Sequence, residues 1–212
     1  MQVRSIISAA ILFVGLQACT SPTPGILEDT MEGATYRDFI YCTGYGCSIR
    51  YYMKLTDEEW QQVRAYFNEP APDAAAERVQ IANAVGHIES IVAPKANTQD
   101  DEAGAAILMG NTRGQLDCID ESHNTTVFLT FMERDSLFTH HTVGDVAHRG
   151  MVFDRWFHNT ATVIENETGD AYVIDSWFGF NGDPADVVPL EQWQDGWHPE
   201  GFENAAEPES AS

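Results

Sequence analysis

Two strand-like runs joined by a short polar turn constrain the fold of this chain most. Asn159 to Glu165, with His158 directly before it, and Ala171 to Trp177 are rich in β-branched and aromatic residues, which is typical of strands. If residues 166–169 form a four-residue loop, Glu165 pairs with Asp170 and Thr160 with Asp175. This register places His158 and Asp175 on the same face of the hairpin, one diagonal pair apart. A three-residue loop would place them on opposite faces.

Three helices are predicted upstream of this hairpin. Thr56-Asp57-Glu58-Glu59 is a capping box that begins a helix ending before Pro70. A second helix runs from about Asp73 and stops before Pro94, with an apolar stripe along one face. A third runs from Cys118 to about Glu133, and the β-branched residues 125–127 weaken its intrinsic propensity. We therefore expect burial to stabilise this third helix.

Two further strands are predicted around the hairpin, Phe138 to His148 before it and Val187 to Leu190 after it. Helices that precede an antiparallel sheet are typical of an α+β fold. The sequence therefore predicts N-terminal helices packed on an antiparallel sheet, with Cys118 at a helix N-terminus.

The ends of the chain carry signals that are separate from the fold. Residues 1–18 have a short positive start and an apolar stretch too short to span a bilayer, as in a secretory signal peptide. Leu16-Gln17-Ala18-Cys19 resembles the lipobox of bacterial lipoproteins, which predicts lipidation of Cys19; a plain cleaved signal is the alternative. We expect a tether over 19–35, one domain over 36–198 and an acidic disordered tail over 199–212.

The charge balance and the cysteine count limit the possible functions. The 33 acidic residues against 11 basic ones argue against nucleic-acid binding and against membrane contact beyond a lipid anchor. Export would place the chain in an oxidising compartment, where Cys42 and Cys47, separated by two glycines among four residues, suit a local disulfide. Cys118 then remains as an unpaired thiol. A Cys42–Cys118 disulfide is the alternative, and it would leave no reactive thiol.

Cys118, His158 and Asp175 are the candidate catalytic residues. A thiol at a helix start, a histidine on one strand and an aspartate on the next are the types required for a nucleophile, its base and the group that orients the base. The backbone N–H of Cys118 could bind an oxyanion, and Gln115 is the candidate for the second donor. Asp117 would disfavour the thiolate unless it caps the helix.

Two other groups of residues are candidate metal-binding sites. His140, His141, Asp145 and His148, with His123 upstream, could suggest zinc, but their spacing matches no metal motif and favours surface histidines. Asp100, Asp101 and Glu102 could contribute to a calcium site, yet their spacing favours a solvated loop. The sequence indicates no cofactor and no metal.

The segments Gly114 to Cys118, His158 to Val163 and Tyr172 to Trp177 resemble those of the transglutaminase-like superfamily of papain-type thiol enzymes, specifically bacterial transglutaminase-like cysteine proteinases. The resemblance covers roughly residues 110–180. It implies a papain-like fold with Cys118 as nucleophile, His158 as general base and Asp175 as its orienter. The tryptophan that supplies an oxyanion donor in animal transglutaminases is not found. Outer motifs at 42–47 and 73–78 resemble those of a proteobacterial lipoprotein group.

Together, the residues and the resemblance predict an exported, lipid-anchored cysteine hydrolase that cleaves an amide bond in a peptide or in peptidoglycan stem peptides. The expected location is the cell envelope of a Gram-negative bacterium, facing the periplasm. Thr20, rather than an acidic residue, follows Cys19, which is compatible with an anchor in the outer membrane. A catalytically inactive binding or envelope-assembly lipoprotein is the first alternative. Transfer of the acyl group to an amine is the second, and the superfamily includes all of these activities.

Overall fold

A computed structural model describes residues 23–105, 113–150 and 157–202. The helices are α1 (Thr23–Met31), α2 (Asp57–Arg64), α3 (Ala74–Ala96), α4 (Cys118–Arg134) and α5 (Leu190–Gln194). The strands are β1 (Phe39–Thr43), β2 (Ile49–Met53), β3 (His141–Val143), β4 (Ala147–Arg149), β5 (His158–Glu165), β6 (Ala171–Asp175) and β7 (Asp186–Pro189). A 3₁₀ turn over Ala65–Phe67 extends α2.

The fold is α+β, as predicted. The main sheet has the order β3-β5-β6-β7, with β4 also paired to β5, and every pairing is antiparallel. The predicted order of helices before strands is incomplete, because β1 and β2 form a separate antiparallel hairpin ahead of α2. No helix in the described part of the chain is both long and apolar enough to cross a membrane.

The central hairpin has the predicted register. Ala161 pairs with Ile174 and Ile164 with Ala171, so the register places Asp175 opposite Thr160. The turn is closed by a hydrogen bond from the Glu165 N–H to the Asp170 carbonyl at 2.9 Å. A four-residue loop therefore joins β5 to β6.

The single strand predicted over Phe138 to His148 is wrong in detail, because β3 and β4 are separate strands. The register against β5 changes between them: Val143 lies opposite Val163, whereas Ala147 lies opposite Thr160. Three residues, 144–146, thus face two, which is a β-bulge. A side chain at Gly144 would place its Cβ 2.4 Å from the Thr162 hydroxyl, so the close approach of the bulge requires glycine.

The prediction that the second helix stops before Pro94 is also wrong, since α3 continues to Ala96. Proline in the last turn removes only one backbone hydrogen bond. The C-cap Asn97 adopts a left-handed conformation and donates its N–H to the Ala93 carbonyl, and both Ala93 and Ala96 are buried. Capping and burial offset the cost of the proline.

The core lies between α4, α3 and one face of the main sheet. Thirteen of the seventeen residues of α4 are buried, which agrees with the prediction that burial stabilises a helix of weak propensity. Ala161, Val163 and Ile174 supply the sheet side of this core. The opposite face of the sheet, which carries Val173, packs on Trp193 of α5.

Both ends of the described chain pack against this domain. Helix α1 lies within the range predicted as a tether, and its Leu27 and Met31 pack on the core. Phe202 lies within the range predicted as a tail, and it packs on aromatic side chains near the end of β6. The predicted signal peptide and the predicted lipidation site Cys19 lie outside the described residues.

Candidate active site

Cys118 is the first residue of α4, and the residues around it form an N-terminal capping box. Asp117 is the N-cap, and its carboxylate accepts hydrogen bonds from the backbone N–H groups of Ile119 and Asp120. Asp120 reaches back to the N–H of Asp117. The capping carboxylate leaves the N–H of Cys118 to other partners, as an oxyanion donor would require.

A disulfide-bonded loop wraps around this helix start. Cys42 and Cys47 form the predicted disulfide, and Cys118 is free. All four residues 44–47 have positive φ angles, which turns successive backbone N–H groups towards one side. The N–H groups of Tyr45 and Cys47 donate to Asp120 at 2.8 and 2.7 Å. The loop therefore supplies two further donors to a buried carboxylate that otherwise accepts only from the Asp117 N–H among the described residues.

The sulfur of Cys118 is enclosed. The residue is 7% exposed, and its sulfur lies 4.0 Å from the carbonyl oxygen of Phe157. Burial is the largest effect that raises the pKa of the thiol well above its usual range, and the negative charge of Asp117 is the next. A hydrogen bond from the backbone of Asn159 lowers the pKa, but by less. The enclosed site thus holds the neutral thiol. Formation of a thiolate requires that a base accept its proton.

His158 and Asp175 form a buried pair at the start of β5 and the end of β6. Nε2 of His158 lies 2.8 Å from Oδ2 of Asp175, and the two residues are 1% and 2% exposed. Trp193 Nε1 donates to the same Asp175 oxygen at 2.8 Å. A carboxylate with this geometry fixes the ring orientation of the imidazole. Trp193 was not predicted from the sequence as a residue of this site. Trp193 lies in α5 and contacts Asp175 only in the folded chain.

The thiol and the imidazole share one aromatic environment but are not hydrogen-bonded to each other. Cys118 packs in a cluster with Trp177 and Phe178. The centroids of these two rings lie 4.5 and 5.2 Å from that of His158. Nδ1 of His158 is buried and has no hydrogen-bond partner among the described residues. The imidazole nitrogen that does not contact Asp175 is therefore available to a thiol.

A second group of buried carboxylates links α4 to the end of β6. Ser176 donates to Glu121 at 2.7 Å, and its hydroxyl lies 3.0 Å from that of Thr125. Burial raises the pKa of Glu121 to about 7 and that of Asp101 to about 8. Since Asp101 is 8% exposed and accepts from the Leu116 N–H, the predicted solvated loop is wrong at this residue. The bonds of Ser176 join α4 to the residue that follows Asp175.

Gln115 binds the loop that precedes it in the chain. Its Nε2 donates to the Asp100 carbonyl at 2.9 Å, and its Oε1 accepts from the Glu102 N–H at 3.1 Å. The structure thus engages both ends of the amide in holding residues 100–102. Its role as an oxyanion donor stays a prediction.

The histidines that could suggest a zinc site do not form one cluster in the described residues. His123 and His141 are buried, which corrects the expectation of surface histidines, because each has an internal partner. His123 Nε2 lies 2.7 Å from the Thr30 hydroxyl, and His141 Nδ1 lies 2.9 Å from Glu77 Oε1. Within residues 23–105, 113–150 and 157–202, no group of three or more His, Cys, Asp or Glu side chains is arranged to hold a metal ion.

Comparison with known proteins identifies no relative of this chain. No family model matches the sequence, no curated protein matches it, and no solved structure matches its fold.

Proposed function

We propose that this protein is a cysteine hydrolase that cleaves an amide bond in a peptide substrate. The observation that carries the proposal is the buried His158–Asp175 pair beside the one free cysteine of the described residues. A histidine held at Nε2 by a carboxylate, with Nδ1 unpartnered, is oriented to accept a proton at Nδ1. Cys118 at the start of α4 is the group whose proton it would accept.

In the proposed reaction, His158 removes the thiol proton as the sulfur of Cys118 attacks the substrate carbonyl carbon. The helix N-terminus and the N–H of Cys118 stabilise the negative oxygen of the tetrahedral intermediate. The intermediate collapses as the C–N bond breaks, and the imidazolium gives its proton to the leaving amine. Water, deprotonated by His158, then attacks the thioester carbonyl. The C–S bond breaks, the acid leaves, and the imidazolium returns its proton to the sulfur of Cys118. Asp175 stabilises the imidazolium throughout.

The papain-like fold, the envelope location and a peptidoglycan stem peptide as substrate are parts of the same proposal that rest on the sequence resemblance. The helix–strand–strand order of Cys118, His158 and Asp175 agrees with that resemblance. Lipidation of Cys19 would fix the enzyme to a membrane by its N-terminus, in line with the lipobox-like residues 16–19.

One observation favours the inactive alternative. The thiol is enclosed and its pKa is raised, as in a structural cysteine. A binding or assembly lipoprotein would keep the fold and need no ionised sulfur.

Incubation with a peptide library separates these functions. We expect the wild-type protein to produce cleaved peptides with a new carboxyl terminus, detected by mass spectrometry, and Cys118→Ala to produce none. Equal cleavage by both would reject the proposed nucleophile. Peptides that instead gain an added primary amine in place of water would assign the protein as a transamidase. No change in any peptide, with the thiol inert to alkylation, would support the binding protein.

A further inference from the structure

Phe202 occupies a slot beside the enclosed cysteine. Its ring packs edge-to-face on Phe178 with the centroids 4.8 Å apart, and lies 5.8 Å from the ring of Trp177. These two aromatic residues are the buried members of the cluster that contains Cys118. The ring is thus seated next to the proposed nucleophile.

The third wall of the slot is bare backbone. A Cβ added at Gly104 would lie 2.5 Å from Cζ of Phe202, so the ring rests directly against this glycine. The wall is fixed in place, because the Gly104 N–H donates to the Trp177 carbonyl at 2.7 Å and Trp177 Nε1 donates to the Ala105 carbonyl at 2.8 Å. The walls of the slot are therefore hydrogen-bonded to each other, whereas the occupant comes from the last described residues.

The segment that carries Phe202 is held mainly by its aromatic contacts. The hydrogen bonds formed by residues 198–202 in the structure are internal, from Phe202 N–H to the Pro199 carbonyl and between His198 and Pro199. Trp197, one residue earlier, is tied to the domain through its carbonyl, which accepts from Arg149 at 2.7 Å. Among the described residues, displacement of Phe202 would thus break ring packing without breaking a hydrogen bond to the rest of the domain.

Catalysis requires that something uncover the sulfur. Cys118 is 7% and His158 is 1% exposed, so a peptide carbonyl cannot reach them in this arrangement. Four partly buried residues in the described part of the chain pack on the Cys118 cluster. Ile119 and Phe157 belong to or adjoin regular elements, and the Trp197 carbonyl accepts from Arg149, whereas Phe202 lies in a segment held by its aromatic contacts.

We infer that the slot formed by Gly104, Trp177 and Phe178 binds an aromatic side chain of the peptide substrate, and that Phe202 fills it in the free protein. The inference rests on the proposed function for its link to catalysis. An entering substrate would exchange its own ring for that of Phe202, so that the same step admits the substrate and uncovers the thiol. Peptides without an aromatic residue near the cleaved bond form no ring contacts that replace those of Phe202, so they are poor substrates.

Binding to the slot can be measured without any reaction. In the full chain carrying Cys118→Ala, we expect Phe202→Ala to allow N-acetyl-4-fluorophenylalanine amide to bind, seen as broadening of its ¹⁹F NMR signal. N-acetylphenylalanine amide should reverse the broadening and N-acetylalanine amide should not. The matched control is Phe180→Ala, which removes a ring that is 64% exposed and outside the cluster. Equal broadening with both variants, or with neither, would overturn the inference.

A second measurement uses Cys118 itself. Alkylation by a phenylalanyl chloromethyl ketone should accelerate at least about tenfold more in Phe202→Ala than alkylation by the alanyl analogue, a ratio within the range of a side-chain pocket. Phe202→Leu, which keeps an apolar group there, serves if the alanine variant unfolds. An unchanged ratio in both variants would reject the slot. If the ring binds by NMR and neither reagent alkylates Cys118, the slot stands and the hydrolase proposal fails.

Discussion

Trp193 donates a hydrogen bond from Nε1 to Oδ2 of Asp175 at 2.8 Å, and this oxygen is the one paired with His158. The indole also packs on the imidazole, with centroids 5.4 Å apart. A residue of α5 thus holds both members of the proposed base and orienter. The carboxylate is fixed from two directions, which restricts the positions that the imidazole can adopt.

Trp193→Phe should weaken this arrangement while keeping an aromatic ring in the core. Loss of a hydrogen bond to a charged group costs about 1.5–3 kcal/mol of unfolding free energy, measured by denaturant titration. We expect the alkylation of Cys118 at neutral pH to slow as well, because His158 loses part of its orientation. Trp197→Phe is the control, since Trp197 packs on Phe178 and its backbone carbonyl, which the substitution keeps, accepts from Arg149. Identical behaviour of the two variants would remove Trp193 from the site.

Ser176→Ala should weaken the link between α4 and the end of β6. The variant leaves Glu121 without its 2.7 Å donor, so we expect a loss of about 1–3 kcal/mol in unfolding free energy and a further rise in the pKa of Glu121. Ser122→Ala is the matched control, because the Ser122 hydroxyl donates to a carbonyl within its own helix. A smaller loss for Ser176→Ala than for Ser122→Ala would contradict the proposed link.

The buried carboxylates predict how stability varies with pH. Burial raises the pKa of Glu121 to about 7 and those of Asp101 and Asp120 to about 8, above about 4 for unfolded carboxyls. The folded state therefore binds more protons than the unfolded state between pH 4 and 8, and stability falls as pH rises through that window. Buried His123, with its pKa lowered to about 4, acts oppositely below about pH 6.5.

We thus expect the clearest decrease in Tm between pH 6.5 and 8. In this range His123 no longer changes the stability, so only the buried carboxyl groups contribute to its pH dependence among the groups named above. Differential scanning calorimetry across this range tests the expectation, and Glu121→Gln should reduce the slope. A Tm that rises from pH 6.5 to 8 would show that these carboxyls are ionised with little cost.

Substitution of two helical glycines by alanine should change the free energy of unfolding in opposite directions. A Cβ at Gly86 in α3 would lie 2.3 Å from the Asp183 carbonyl oxygen, whereas at Gly25 in α1 nothing lies within 4 Å. Gly25→Ala should stabilise the protein by about 0.5–1 kcal/mol through helix propensity. Gly86→Ala should destabilise it despite the same gain, because the 180–185 segment must move. Urea unfolding of both variants measures the difference, and stabilisation by Gly86→Ala would contradict the close approach.

The parts of the fold that the sequence predicted are those set by local signals. The capping box at Thr56, the Cys42–Cys47 disulfide and the four-residue turn at 166–169 each depend on neighbouring residues. The hairpin register then fixed the shared face of His158 and Asp175. A local rule also produced an error. Proline usually ends a helix, which predicts a helix end before Pro94, but α3 continues to Ala96 because capping by Asn97 offsets the cost of the proline.

The parts that could not be predicted depend on contacts between distant segments. Trp193 reaches Asp175 only because β7 leads into α5 across the sheet, and Asp101 is buried only because residue 116 donates to it. The bulge at Gly144 is defined by Thr162 on another strand. Neither periodicity nor capping carries information about such pairs.

The pH dependence of Cys118 alkylation tests the central claim most directly. Iodoacetamide labelling of the folded, non-reduced protein, with Cys19→Ser to remove the other thiol, should give one reactive cysteine in wild type. We expect its rate to stay measurable at pH 6.5–7.5, below the usual thiol pKa of about 8.5, and to fall at least about tenfold in His158→Gln. Superimposable profiles for the two proteins, each rising only at alkaline pH, would contradict proton transfer from Cys118 to His158.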